Sequence, residues 1–239
     1  MSYFIFNEAD SRELGLMVTK PVIRPTWGRE TSEYKRSGGF TNLLQACDTY
    51  ENAQLTIYTA LTDATPVAVR ALYQSVSGFG RLWLSSAPTE YMNVYSAPLV
   101  PEPVALAMAE IPLTFTVLPF AYAVEPTVQD ITSATVNTEV QNAGTIFSEP
   151  EIRFTATGTE VSIYTNNEQF RIELPEEVQG VEVIVDCAAQ VTYYVSGGSK
   201  VAINQHTYGE YPLLHVGTNY IRHTGTVSAA SINVKERWL

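Results

Sequence analysis

Three histidines, His206, His215 and His223, are the side chains here whose ordinary pKa lies close to neutrality. His215 and His223 flank a turn at Gly217 and can reach neighbouring strands, the start of a metal site or an acid–base pair. No third ligand stands at a ligand spacing, so structural or surface roles suit them better. A second cluster is carboxylate: Glu176, Glu177, Glu182 and Asp186. Two of these facing each other would form a glycosidase dyad. But Glu176 and Glu177 follow Pro175 in a loop, and Glu182 alternates with Val181 and Val183, the pattern of a solvated strand face. Ser77-Gly78-Phe79-Gly80 has the glycines of a phosphate loop but runs from a helix into a strand, whereas phosphate loops run from strand into helix. It reads as a helix C-cap and turn. There is no G-x-S-x-G, no H-E-x-x-H and no nucleophile beside a base. Cys47 and Cys187 are far apart and lack zinc spacing, so they read as buried free thiols of a protein folded in a reducing compartment. The expectation is a protein without enzymatic activity, cofactor or metal.

The elements that carry these residues are mostly strands. Period-two alternation marks 3–6, 54–61, 82–84 and 113–118, then 151–154, 160–164, 170–174, 181–186, 191–195, 201–204, 219–223 and 228–234. Thr157-Gly158, Asn166-Asn167, Gly197-Gly198 and Thr224-Gly225 supply the turns of an antiparallel sandwich. One helix is predicted. It is capped at Asp63–Thr65, has Pro66 in its first turn, carries Val67, Ala71 and Gln74 with Val69 and Tyr73 at helical spacing, and stops at Ser77-Gly78. The polar, Thr-rich stretch VEPTVQDITSATVNTEVQNAGT reads as a boundary. It divides the chain into an α+β domain, 1–130, and an all-β domain, 131–239. Within the last strand, Ile232 and Val234 are expected to face the second core, with Trp238 packing across the sandwich end.

Composition narrows the partners. Charged residues are 16% of the chain, well below the usual quarter, and Thr, Ser, Asn, Gln and Tyr take their place. A neutral polar surface of this kind suits a protein packed against others. The net charge of −11 and the lack of a basic cluster beyond Lys35-Arg36 argue against nucleic acid as a partner. The most apolar stretch, PVALAMAEIPLTFTVLPFAYAV, is interrupted by Glu110, Pro112 and Pro119, so strands are expected there and no membrane span. The N-terminal MSYFIFNEAD lacks the basic and apolar regions of a secretory signal. The aromatics (14 Tyr, 9 Phe and 3 Trp) suit core and protein interfaces, with a sugar-binding groove as the other use.

YKRSGGFTNLLQACDTYENAQLTIYTAL is the most unusual segment. Adjacent glycines separate a charged arm from a strand that recovers its alternation at Leu55, as in a long hairpin with a Gly-Gly tip or bulge. A projecting hairpin offers a free edge to a neighbouring subunit. Arg36, Gly38, Gly39 and Phe40 are the candidate contact residues.

Taken in order, these segments resemble the distal tail protein (Dit) family of long-tailed, siphovirus-type bacteriophages. FIFNEADSRELGLMV is similar to the family's opening strand, and YKRSGGF to its Gly-rich segment near a belt hairpin. The helix leading to GFGRLWLSSAPTEYMNVYSA and the strand LTFTVLPFAYAV are similar to the rest of its first domain. NTEVQNAGTIFSEPEIRFTATGTEVSIYTNNEQFRIEL and GTNYIRHTGTVSAASINVKERWL resemble the entry to its second domain and its closing strands. One departure is that Arg36-Ser37-Gly38-Gly39 stands where the family often has a Gly-Arg-x-Gly type. The resemblance implies a mainly β protein. Its N-terminal ring-forming domain, similar to a tail-tube adaptor, has a belt-like hairpin and one helix, and its C-terminal domain is a galectin-like antiparallel β-sandwich. It further implies a homo-hexameric hub ring at the virion tail tip, made in the bacterial host cytoplasm. The ring joins the tail tube protein to the tail-tip protein, and in many members the outer domains carry receptor-binding proteins. The alternative expectation is a lectin-like adhesion module that recognises host cell-wall sugars.

Overall fold

The computed structural model describes residues 2–34, 43–97 and 106–239. The chain forms two compact units, Met1–Val124 and Glu125–Trp238.

In the first unit the strands are β1 (Phe4–Phe6), β2 (Ala9–Asp10), β3 (Leu16–Val18), β4 (Arg29–Tyr34), β5 (Leu43–Tyr50) and β6 (Ala53–Ala64), followed by helix α1 (Pro66–Ser75) and then β7 (Gly78–Leu84), β8 (Ala87–Ser96) and β9 (Leu106–Ala123). One antiparallel sheet runs β2-β1-β7-β8-β9-β6-β3, while β4 and β5 pair only with each other as a ribbon. Alternation sends Phe4, Phe6, Ile57, Leu82, Leu113 and Phe115 to one face, where all are buried. Phe115 lies 6.3 Å from Phe4 and 5.9 Å from Phe6, ring centre to ring centre. Helix α1 packs into the same core. Thr65 caps it, its Oγ1 accepting from the Ala68 N–H at 3.2 Å. Its buried stripe is Val69, Leu72 and Tyr73, continued by Val76, whereas Val67 is 75% exposed. The predicted helix is therefore present, but the Val67–Ala71–Gln74 row is not its core face. Gly78, at φ 88°, ends the turn that follows, as the C-cap reading requires.

The prolines of β9 explain how so long a strand tolerates them. The pairing with β6 covers Leu106 to Val117, and the pairing with β8 covers Thr116 to Ala123. Pro112 faces β6 alone, and Pro119 falls in the register break between the Val94–Val117 and Met92–Ala121 pairs with β8, the positions at which a strand tolerates a missing N–H. β8 was not evident in the sequence because Thr89, Glu90 and Asn93 break its apolar rhythm.

The second unit contains β10 (Val128–Asp130), β11 (Thr138–Asn142), β12 (Glu151–Ala156), β13 (Glu160–Thr165), β14 (Glu168–Glu173), β15 (Glu182–Asp186), β16 (Val191–Ser196), β17 (Ser199–Ala202), β18 (Thr207–Tyr208), β19 (Gly217–Thr224) and β20 (Val227–Asn233). They form a β-sandwich of two antiparallel sheets, β10-β20-β12-β15-β16-β17 and β11-β19-β13-β14-β18. Ile152, Phe154, Val183, Val185 and Ile232 from the first sheet meet Ile163, Phe170, Ile172 and Ile221 from the second. Ile232 and Val234 are both in this core, as expected. The turn residues do what their types allow. Asn166 and Asn167 have φ 50° and 78°, and Gly197 and Gly198 have φ 58° and 81°. These are the paired positive values of a two-residue hairpin turn.

The stretch read as a polar boundary is instead built into the second unit. β10 pairs with β20 and β11 with β19, while Ile131, Ala134 and Val140 are buried. The structural division thus comes ahead of the sequence boundary at residue 130.

Candidate assembly surface

The residues with catalytic or ligating potential do not converge. His223 lies on β19 and points inward, its Nε2 3.1 Å from the Ile131 carbonyl oxygen and 3.0 Å from that of Thr132. It pins the entry to the second unit. His215 is exposed and precedes β19, so the two imidazoles are not on neighbouring strands as the turn at Gly217 had suggested. His206 sits in a short 3-10 turn. Glu176 and Glu177 occupy another such turn, Glu182 pairs with Arg153 at 3.7 Å, and Asp186 pairs with Lys235 at 3.5 Å. Glu182 and Asp186 are thus partners of cations on a strand face, while Glu176 and Glu177 lie apart from them in the turn. Among the described residues, no three His, Cys, Asp or Glu side chains form a ligand set. Cys47 is half-buried, its sulfur 3.7 Å from Ser32 Oγ, while Cys187 is buried in the second unit. Desolvation holds the Cys187 thiol well above its ordinary range, so it stays protonated.

The first unit has two surfaces without a core to bury them in. One is the ribbon. β4 is exposed at five of its six positions and half-buried at the other, and Tyr34 is 54% exposed. A two-stranded ribbon is marginal alone in water. This one is fixed at its base. The Glu51 N–H donates to the Gly28 carbonyl at 3.1 Å, Thr49 Oγ1 donates to Glu30 Oε2 at 2.7 Å, and the Arg29 guanidinium stacks over Tyr50. Tyr50 meets Phe120 edge-on, with ring centres 5.1 Å apart. Phe120 has φ 75°, an uncommon value for a bulky residue, close to where the β8–β9 register breaks. Strain at the bulge is thus coupled to a ring that holds the base of the ribbon. The candidate contact residues Arg36, Gly38, Gly39 and Phe40 lie outside the described residues, between β4 and β5.

The other surface is the face of the large sheet opposite the core. Phe79, 76% exposed, stacks on Tyr95 at 4.7 Å. Trp83 lies 5.7 Å from Tyr91, which lies 5.6 Å from Tyr122, and the Arg81 guanidinium sits 4.7 Å over Tyr91. Beyond them come a Thr56–Thr114 hydroxyl pair and Gln54 donating to Thr116. Aromatic rings, an arginine and neutral polar groups are the composition of a protein interface core. The edge beside Phe79 is also open. β1 pairs with β7 only at Leu82–Leu84, and beyond it Asn7 bonds Arg81 through both its backbone N–H and its side-chain oxygen.

The second unit pairs many of its surface charges. Arg153 pairs with Glu151, Lys235 with Glu151 and Asp186, and Arg171 with Glu160 and Glu173. Arg222 lies over Tyr164 at 3.6 Å and Arg171 over Tyr208 at 4.3 Å. Near the C-terminus Arg237, only 6% exposed, donates to the Phe147 carbonyl from Nε and Nη2 and to Glu149 from Nη1 at 2.7 Å. No local pattern announces this clamp, since its partners stand some ninety positions away.

No protein-family model matches the chain, and no curated protein does. Solved structures do. Dit (gp 19.1) of phage SPP1, described as a paradigm of hub adsorption apparatus in Gram-positive infecting phages, superposes with a TM-score of 0.74 at 14% identity, covering 100% of both chains. A chain of the phage P2 baseplate in its activated conformation with Ca gives 0.56 at 8% identity, covering 99% of this chain and 98% of that one. The same baseplate with Sr gives 0.56 at 9% identity with the same coverage. The chain therefore has the mainly β fold of a Dit hub protein along its whole length.

Proposed function

We propose that this chain is a structural component of a phage tail tip. Copies of it form a hexameric hub ring that joins the tail tube to the tail-tip and host-adhesion proteins, with no catalytic role. The observation that carries this reading is the end-to-end likeness to a hub protein, both units included and in the same order. The physical chemistry of the first unit agrees with it. An exposed ribbon, an open strand edge and a stacked aromatic face can complete each other between copies. Such a contact joins different surfaces of two identical chains, and closure into a ring is what prevents an open filament. In this reading the first unit makes the ring, with Arg36, Gly38, Gly39 and Phe40 as candidate contacts to the next subunit, and the second unit contacts receptor-binding proteins.

Negative-stain imaging of the purified chain tests the proposal. Six-lobed particles with a central hole are expected. Fields of single, unassociated particles at micromolar concentration, with or without the cognate tail tube protein, would overturn it.

A lectin built on the sandwich faces is the weaker reading. Two of its outward rings, Tyr164 and Tyr208, already carry Arg222 and Arg171 over one face.

A further inference from the structure

Three buried side-chain polar atoms without a hydrogen bond gather in one corner of the first unit: Arg24 Nη2, Glu90 Oε2 and Trp27 Nε1. Arg24 and Trp27 stand on the segment 19–28, which crosses from β3 to β4, and Glu90 stands on β8. Arg24 and Glu90 also line a pocket of about 290 Å³, whose apolar walls are Val22, Leu84, Ala87, Met92 and Ala121. We infer that this pocket receives one peptide group and one small aliphatic side chain from an extended segment of a different protein.

The orphaned atoms are what point to a ligand. Folded proteins pair nearly all of their buried polar groups, so unpaired ones gathered at a single place need a cause. Here two charged groups meet without satisfying each other. Arg24 Nη1 lies 2.6 Å from Glu90 Oε2, yet the approach is not aligned as a hydrogen bond. Trp27, 7% exposed, anchors the segment in the core, and the Arg24 guanidinium lies 6.0 Å from its ring centre. The Arg24 and Glu90 side chains keep 32% and 20% of their exposure, which leaves both room to turn their unused atoms to an incoming group.

The lining selects the occupant. An arginine donor beside a carboxylate acceptor complements a peptide unit, whose carbonyl accepts and whose N–H donates. An anion would meet Glu90 and a cation would meet Arg24, so the pair favours a neutral amide. The volume holds one aliphatic side chain with its peptide group and is too small for a cofactor. The buried Leu84, Met92 and Ala121 alternate along their strands with Trp83, Tyr91 and Tyr122, so the pocket and the aromatic row lie on opposite faces of the sheet. A neighbouring copy seated on those rings leaves the pocket free, which assigns the incoming segment to a different protein.

Saturation-transfer NMR and isothermal titration of the full chain test this, and neither requires the chain to form a ring. The probe is N-acetyl-leucinamide. The controls are N-acetyl-glycinamide, which lacks the side chain, and isoamyl alcohol, which lacks the amide. The probe is expected to bind with a Kd of about 1–10 mM, and each control at least about five-fold more weakly. The double variant Arg24→Met, Glu90→Leu removes the donor and the acceptor together. It should weaken binding about ten-fold or more while its thermal transition stays level or rises. Ala87→Leu fills the pocket from its half-buried rim and keeps the pair, and should weaken binding by a similar factor. The inference is overturned if the probe receives no saturation, if either control binds as well as the probe, or if either variant binds as the parent does. A double variant that melts several degrees lower would also overturn it, by assigning the pair to folding.

Discussion

The two units differ in how much of their surface they satisfy alone. Each has its own buried apolar cluster, with Phe4, Phe6 and Phe115 central to one and Phe154 and Phe170 to the other. The second unit then covers its outer faces with ion pairs and guanidinium–aromatic stacks, and clamps its end with Arg237. The first unit leaves a ribbon held only at its base, a strand edge beside Phe79 without a partner among the described residues, and a row of stacked rings that are half-exposed or exposed. The first unit thus presents aromatic rings and a ribbon to a partner, while the second presents mostly paired charges, with Val136, Val195, Val216 and Tyr220 still exposed between them. Core size does not separate these two cases. Surface chemistry does.

The comparison predicts equal sensitivity inside and unequal sensitivity outside. Phe115→Ala and Phe170→Ala should each cost about 3–5 kcal/mol, read from denaturant melts of the two variants. Similar losses in both are expected, because each ring is fully buried. A loss below about 1 kcal/mol in either would mean that its unit lacks the packed core described. Arg237→Ala should cost about 1–3 kcal/mol, since it removes the donors to the Phe147 carbonyl and the half-exposed Glu149. Arg171→Ala, at a half-exposed pair on the same unit, should cost under about 1 kcal/mol. If the two arginines proved equal, the clamp would have no special role.

The double change Phe79→Ser, Tyr95→Ser should lower the stability of a single copy by about 1 kcal/mol or less, yet shift the particle towards dissociated chains. A large stability loss with unchanged assembly would reassign these rings from interface to fold.

The thiols sharpen the contrast at smaller amplitude. At pH 8 a maleimide should label Cys47 readily and Cys187 only after unfolding, because Cys187 is buried and its ionisation suppressed. The sign of the pH effect follows from the same suppression. Once pH passes the ordinary thiol range, the unfolded thiol ionises while the folded one remains protonated. The stability contributed by burying Cys187 is therefore complete below that range and falls as pH rises through it. Melts between pH 8 and 10 check this, and Cys187→Ser should flatten the slope.

Much of this was legible in the sequence where the cause is local. Period-two runs located most sandwich strands, and Asn166-Asn167 and Gly197-Gly198 marked hairpins because those residue types tolerate positive φ. Thr65 and Pro66 started the helix, and Gly78 ended the turn after it. The features that depend on distant partners were not legible. The buried stripe of α1 is set by which face meets the sheet, so Val67 misled where Leu72 did not stand out. β10 and β11 looked like a linker because one polar face hid Ile131 and Val140.

The central claim is that the first unit assembles copies of the chain through its ribbon. Light scattering of the parent and of a variant with residues 35–42 replaced by a two-residue turn, measured over the same concentration series, tests it most directly. The prediction is a mass of six copies for the parent and of one copy for the variant, whose melting transition stays within a few degrees of the parent's. A parent that is monomeric throughout, or a variant that still forms the six-copy particle, would contradict the claim.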